Sequence, residues 1–436
     1  MTDADDLRRR TDELLAAHPP ATTERLEFLR ARFDAGLAWV HFPRGLGGLD
    51  APRSLQAVVD AELEAAGAPG NDPGRIGIGL GMAAPTILRF GTDEQKQRFL
   101  RPLWTGEEVW CQLFSEPGAG SDLAALATRA VREDGGEAGS GGDWIVDGQK
   151  VWTSSAHLAR WAILIARTDP GVPKHRGISY FVCDMTDPGV EVRPLRQITG
   201  EAEFNEVFLT GVRIPDAHRL GAVGEGWKVA QTTLMNERVA IGGARMPREG
   251  GMIGVAAADW RARPELRTHD LHQRLLKLWV EAEVARLTGE RLRQQMTKGQ
   301  PGPEGSGMKL AFARLAQEIS GWEVEFLAED GLTYDDWTMR RPDGVDFTGR
   351  EAGYRYLRAK GNSIEGAPRK CCSTSSPNVC WGCRPSRAPT RTSRGRTSPD
   401  ERRDHPARRR GARPRPPLLR GRGRAARRRT VAARRP

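Results

Sequence analysis

Residues 111–122, Cys-Gln-Leu-Phe-Ser-Glu-Pro-Gly-Ala-Gly-Ser-Asp, and residues 150–155, Lys-Val-Trp-Thr-Ser-Ser, decide the fold. The first is a short apolar run that opens into a glycine loop. Gly118 and Gly120, on either side of Ala119, can take φ > 0, and such a loop brings bare backbone N–H groups close to a flat ligand. Ser115 and Ser121 add hydroxyls. The second stretch follows Asp143-Trp-Ile-Val-Asp-Gly-Gln149, whose Asp147-Gly148 pair, flanked by Ile145, Val146 and Val151, predicts a tight hairpin. That hairpin would hold Trp152 and Ser154 in fixed positions. A single glycine loop beside a hairpin is most often only a turn; two linked segments point to a site.

Around this centre the periodicity changes twice. Leu55, Val58, Val59, Leu63 and Ala66 recur at helical spacing, with Gly67 where the helix would stop. Thr92 and Gln95 form a capping-box pattern for a helix carrying Phe99 and Leu103, and Gly91 ends the element before it. Beyond residue 111 come the apolar runs Trp161–Ala166 and Gly177–Cys183, bounded by turn residues and strand-like. From Gly226 helices return, one with Leu271, Leu275, Leu278, Ala282 and Ala285 on a stripe, another with Met308, Leu315, Ile319, Trp322 and Phe326. The fold class is therefore α+β: an N-terminal α-helical domain over 1–110, a middle β domain over 111–224 and a C-terminal helical bundle over 225–366.

Residues 367–436 are a different kind of polypeptide. They hold 22 basic residues against Asp400, Glu401 and Asp404, a net charge of +19, which leaves −8 of the chain's +11 for the first 366 residues. The pI near 9.7 describes the tail, so a specific nucleic-acid partner is not expected of the globular part. Cys111 and Cys183 are the only cysteines before the tail and suggest no disulfide framework. Met1–Arg8 lacks the apolar stretch of a signal peptide, and no run of eighteen apolar residues appears. The expectation is a soluble, cytoplasmic protein without a membrane span.

Several motifs together resemble the acyl-CoA dehydrogenase flavoprotein family, from about residue 25 to residue 366. They are His41-Phe-Pro-Arg-Gly-Leu-Gly-Gly48, Phe90-Gly-Thr-Asp-Glu-Gln-Lys96, Ser115-Glu-Pro-Gly-Ala-Gly-Ser-Asp122, Phe204-Asn-Glu-Val-Phe208, Gly224-Glu-Gly-Trp227 and Gly361-Asn-Ser-Ile-Glu-Gly366. The similarity is greatest to the large actinobacterial set. The resemblance implies FAD as cofactor, with Phe114 and Ser115 on the flavin pyrimidine side and Trp152 and Ser154 along its other face and N5 region. It also implies an acyl-CoA substrate, with Ser121 near the pantetheine arm, an electron-transfer flavoprotein as acceptor, and a homodimer or homotetramer if the last helix is present. An Arg followed by an aromatic-Gly pair often meets the flavin pyrophosphate in the family. Arg274 stands near that place without the aromatic-Gly, and is a weak candidate.

The implied chemistry removes one hydrogen from each of the α and β carbons of a thioester. It needs a base for the α-proton, a carboxylate in a water-poor pocket being the expected group. Leu234-Met-Asn-Glu237-Arg238 resembles the Leu-x-x-Glu-Arg segment that carries the base in branched-chain and long-chain members. Glu365, in Ser363-Ile-Glu-Gly366, is the alternative, one residue early for the family's other location. A helical Glu is more commonly a solvated charge, or here a partner for Arg238. His157 reads as a hydrogen-bonded packing residue. An oxidase or monooxygenase of the same fold is a second function, one that needs no α-proton base.

After Gly366 the family pattern calls for Gly-Thr-(Ser/Asn)-Glu-Ile and a helix, but the chain runs Ala-Pro-Arg-Lys-Cys-Cys. The codons of residues 366–382, read one base out of frame, permit Gly-Thr-Glu-Glu followed by an apolar helix and Glu-Arg-(Val/Leu)-Leu-Gly. The bundle is thus expected to be truncated by a frameshift between Gly366 and Ala367, and the Arg- and Pro-rich tail to be out-of-frame translation without a fold of its own. A chain that truly lacked this helix would be a flavin-poor remnant, the third alternative. Cys371, Cys372, Cys380 and Cys383 invite a zinc reading, but only the last two have ligand spacing, and no metal is expected.

Overall fold

The computed structural model describes residues 2–133, 142–242, 247–296, 304–342 and 348–365, the side chains of 238–242, 295–296 and 304–306 excepted. The tail from Ala367, with its four cysteines and the frame change, lies outside the described residues. Helices α1 (Ala4–Ala17), α2 (Arg25–Asp34), α3 (Gln56–Ala65), α4 (Pro73–Ile78), α5 (Ala84–Phe90) and α6 (Asp93–Thr105) precede the first strand. Val59 and Leu63 of α3 pack with Leu7, Leu14 and Phe28, and Gly67 leaves the helix at φ 64°. The capping box at α6 forms as the sequence predicts, with the Gln95 amide donating to Thr92 Oγ1 at 3.3 Å and the Thr92 amide to Gln95 Oε1 at 2.8 Å. Gln95 Nε2 also donates to the carbonyls of Ala217 and Arg219 at 2.7 and 3.0 Å, so the cap ties α6 to the segment beyond the sheet.

Strands β1 (Trp110–Leu113), β2 (Arg129–Arg132), β3 (Trp144–Ser154), β4 (Trp161–Arg167), β5 (Ile178–Asp184), β6 (Val190–Pro194) and β7 (Phe204–Ile214) form one sheet, in the order β1-β4-β2-β3-β7-β6, with β5 also paired to β4. β4 explains the unbroken apolar run at its centre. Trp161, Ile163 and Ile165 enter the core shared with α6, whereas Ala162, Leu164 and Ala166 enter the core on the other face. A strand covered on both faces has no reason to alternate. Cys111 and Cys183 are free and buried, and burial pushes the Cys183 thiol up to about 12.

The hairpin expected at Asp147-Gly148 does not form. β3 runs straight through the pair. The reversal lies earlier, between Arg132 and Trp144, and β3 then pairs with β7 across a register shift between Val146 and Gly148. Asp147 holds this bulge, Oδ1 accepting from the Gly211 amide at 2.8 Å and Oδ2 from Arg129 at 3.2 Å. Glycine at 148 answers a close approach: a Cβ there would stand 2.4 Å from Thr128 Oγ1 and 2.8 Å from Thr128 Cα.

Helices α7 (Gly226–Gly242), α8 (Met252–Ala262), α9 (His269–Met296), α10 (Glu304–Leu327) and α11 (Ala352–Gly361) follow. Leu275 and Leu278 of α9 meet Leu315, Ile319, Trp322 and Phe326 of α10, with the last two rings stacked at 5.0 Å. α11 is clamped by charge as well as by packing. Tyr354 Oη donates to Glu201 at 2.6 Å, Arg355 Nε to Glu323 at 3.0 Å and Arg358 to Glu203 at 3.0 Å. Helices, then a sheet, then helices is the α+β order expected from the sequence.

Candidate active site

β1 ends at Leu113, and the next three residues carry the chemistry-bearing turn. The Glu116 and Ala119 main chains exchange two 3.0 Å hydrogen bonds across Pro117-Gly118. Neither Gly118 nor Gly120 adopts positive φ, contrary to expectation; that backbone falls instead to Trp152 (φ 60°) and Ser155 (φ 56°). The glycines matter through space: a Cβ at either would meet nothing within 4 Å, so their main chain borders an open surface. Ser121 lies exposed beside them, and Asp122 is anchored by Lys174 at 2.7 Å.

The two sequence segments do meet. The Val151 amide donates to the Ser115 carbonyl at 2.9 Å. Lys150, entirely buried, donates to the Phe114 carbonyl at 3.0 Å, to Glu116 Oε1 at 2.8 Å and to the Ile165 carbonyl at 3.0 Å. Burial alone would raise the Glu116 carboxyl, but Lys150 and the Ala127 and Thr128 amides outweigh it and hold the group below the usual carboxylate range. Burial pulls Lys150 down to about 8, with Glu116 opposing, so the pair is ionic at neutral pH.

Trp152 stands on the bulge between Lys150 and Thr153, where β3 loses register with β7. It is 58% exposed, whereas the strand's other tryptophan, Trp144, is buried, and its ring meets Phe204 edge-on at 5.8 Å. An uncovered indole on a left-handed residue beside an open glycine loop is what a flat aromatic ligand would complete. The donor set fits FAD on that ground: bare loop main chain, the Ser115 and Ser154 hydroxyls and an aromatic face.

The two candidate bases belong to different chains of contacts. Glu237 is buried on α7, one helical turn beyond Thr233. Thr233 Oγ1 shares 2.9 Å hydrogen bonds with Tyr180 Oη and Thr86 Oγ1, and the Tyr180 ring packs edge-on against Phe114 at 5.9 Å. Residues four apart share a helix face, so Glu237 follows Thr233 toward the Phe114 side. Glu365 belongs to the Trp152 side: Arg358, which binds it at 3.1 Å, lies over the Phe204 ring at 5.8 Å. Arg274 is brought to neither flank. It sits exposed on α9, bonded to Glu325 at 2.7 Å. His157 Nδ1 lies 3.5 Å from Asn205 Nδ2, in a packing position.

Sequence reasoning assigned no part to Lys150, Glu116 or Glu203. A lysine at an inward position of a strand-like stretch is the signal that could have found the first. Glu203 is buried beside Arg358, Glu365 and Glu201, and burial chiefly, helped by its two acidic neighbours, raises its carboxyl to about 7 against the pull of Arg358.

Three family models match consecutive stretches: the acyl-CoA dehydrogenase N-terminal domain over residues 5–107, the middle domain over 111–212 and the C-terminal domain over 224–342. Acyl-CoA dehydrogenase FadE34 of Mycobacterium tuberculosis is 44% identical over 313 residues, 69% of this chain and 41% of that relative, so the chain spans less than half of FadE34. Acyl-CoA dehydrogenase IpdE1 of the same organism is 34% identical over 312 residues, 70% of this chain and 77% of the relative. Among solved structures, the ChsE4–ChsE5 complex from Mycobacterium tuberculosis superposes with a TM-score of 0.61 at 25% identity, covering 88% of this chain and 98% of that one. Motifs, domain order and relatives converge, and the chain belongs to the acyl-CoA dehydrogenase family of FAD-dependent flavoprotein oxidoreductases.

Proposed function

We propose that this protein oxidises the Cα–Cβ bond of an acyl-CoA thioester with FAD, using Glu237 as the base. The observation that carries the reading is the joined pair of segments, Phe114–Ser115 bound to Lys150–Val151, with Trp152 standing uncovered beside them. Bound FAD supplies a hydride acceptor. Ser115 and Ser154 would hold it with their hydroxyls, Phe114 and Ser115 with main chain, and Trp152 with its ring. Ser121, at the exposed end of the loop, suits the pantetheine arm of the substrate. Glu237 takes the α-proton on a carboxylate oxygen, and its burial keeps water from competing for that oxygen.

The test is anaerobic addition of straight-chain, branched and ring-bearing acyl-CoA thioesters to FAD-loaded protein. Bleaching of the flavin's visible band, with the enoyl-CoA product found by mass spectrometry, is expected for one class. Rapid oxygen consumption with no enoyl product would favour the oxidase or monooxygenase alternative. An electron-transfer flavoprotein as acceptor and self-association into a dimer or tetramer are further proposals carried by family membership.

We also propose that the reading frame changes between Gly366 and Ala367. The departure from the family pattern at that point, and the helix legible one base out of frame, support it. Resequencing codons 360–385 checks it: an inserted or deleted base is expected, and an intact frame yielding the same residues would sink the idea. In that second case poor FAD retention, the remnant alternative, becomes the expected state.

A further inference from the structure

Lys150 is a buried cation for which the proposed chemistry has no use. Its three ammonium hydrogens meet three acceptors from separate parts of the fold: Phe114 O at the exit of β1, Glu116 Oε1 in the glycine loop and Ile165 O in β4. Glu116 in turn accepts from the Ala127 and Thr128 amides at 2.6 and 2.9 Å. An apolar side chain at 150 would leave two carbonyls and a carboxylate without this donor, in a place where lysine has no exposure at all. The neighbouring Val151 amide holds the next carbonyl, that of Ser115. Consecutive carbonyls, Phe114 and Ser115, are thus gripped by consecutive residues, Lys150 and Val151. In a trans peptide the N–H points opposite to the C=O. Pinning the Phe114 carbonyl on Lys150 therefore aims the Ser115 N–H away from Lys150.

We propose that Lys150 is a positioning residue for the cofactor, orienting the Phe114–Ser115 peptide so that the Ser115 N–H meets the flavin. The inference rests on the reading of this loop as the flavin site. It gives the Lys150–Glu116 ion pair a part in affinity for FAD beyond its part in folding. The charges facing Lys150 reduce to Glu116, since its remaining contacts are main-chain carbonyls.

The experiment titrates the full-length apoproteins of wild type, Lys150→Met and Glu116→Gln with FAD, recording Kd, visible circular dichroism of the bound flavin and Tm. For Lys150→Met, Kd is expected to rise at least about tenfold, with an altered visible dichroism, because one oriented hydrogen bond is lost. A Kd within about twofold of wild type and an unchanged flavin spectrum would overturn the proposal even if Tm fell, since a purely structural role moves Tm alone. Should Lys150→Met not fold, Glu116→Gln decides. It keeps an acceptor for Lys150 and is expected to raise Kd about threefold, and no change there overturns the inference equally. A wild-type protein that takes up no FAD would instead remove the flavin-site reading, and this inference with it.

Discussion

Replacing Glu203 by Gln should remove part of the stability loss expected of wild type between pH 5 and 8, leaving the part that comes from Glu323, whose carboxyl burial likewise lifts to about 7. Glu203 is 4% exposed and shares Arg358 with Glu365, while Glu201 nearby already holds Arg350 and Tyr354. Burial comes first among the causes that lift its carboxyl from 4.5 to about 7, and Arg358 only partly opposes. The folded-state value thus lies above the unfolded one. Between the two the folded chain binds a proton that the unfolded chain does not, so the stabilisation is complete below about 4.5 and lost as pH rises through about 7. At 1.36 kcal/mol per pH unit the loss is at most about 3 kcal/mol. Gln mimics the protonated acid and still accepts from Arg358. The assay is urea unfolding of wild type and variant at pH 5, 6, 7 and 8 at constant ionic strength. The variant's stability relative to wild type should grow with pH. A relative stability that is flat or falls with pH would refute the reasoning, because it would mean Glu203 is ionised throughout.

Glu237→Gln should cut dehydrogenation by roughly 100- to 10,000-fold, the usual worth of a general base, while FAD content stays at the wild-type level; stopped-flow reduction by the best thioester checks both. Glu365→Gln should leave that rate within about threefold, since its contact with Arg358 makes it a structural carboxylate. Gly148→Ala should cost about 1–3 kcal/mol in urea unfolding, because its Cβ would press on Thr128. Trp152→Ala should leave stability nearly unchanged, its ring being largely in solvent, yet weaken FAD binding at least about tenfold by direct titration.

Much of this was legible in the sequence, for definite reasons. The α3 stripe, the capping box at Thr92 and the apolar runs of β4 and β5 are local signals that tertiary structure did not override. Asp147-Gly148 misled because the same pair that favours a two-residue turn also suits a bulge. The deciding facts were the approach of Thr128, just before β2, and the bond to the Gly211 amide in β7, both distant in sequence from the pair. Gly118 and Gly120 misled similarly: a glycine can be present for open space and not for φ, and the left-handed residues turned out to be Trp152 and Ser155. The Glu203–Arg358–Glu365 group could not be foreseen, since it joins positions 155 and 162 residues apart in sequence.

The choice between Glu237 and Glu365 turns on where each residue is held. A general base must reach the α-proton in the Michaelis complex. Arg358 lies 3.1 Å from Glu365 and is itself buried, so little solvent screens the pair from its side. The same guanidinium holds Glu203, and the three groups fasten the end of α11 to the strand that carries Phe204. Moving Glu365 toward a substrate would break that fastening. Glu237 sits at the end of a different chain of contacts, Phe114 to Tyr180 to Thr233, which sets the helix on which it lies against the loop proposed to hold the flavin. Its side chain is buried on α7, on the Phe114 flank. This placement beside the proposed flavin loop is what favours α7 as the helix that carries the proposed base.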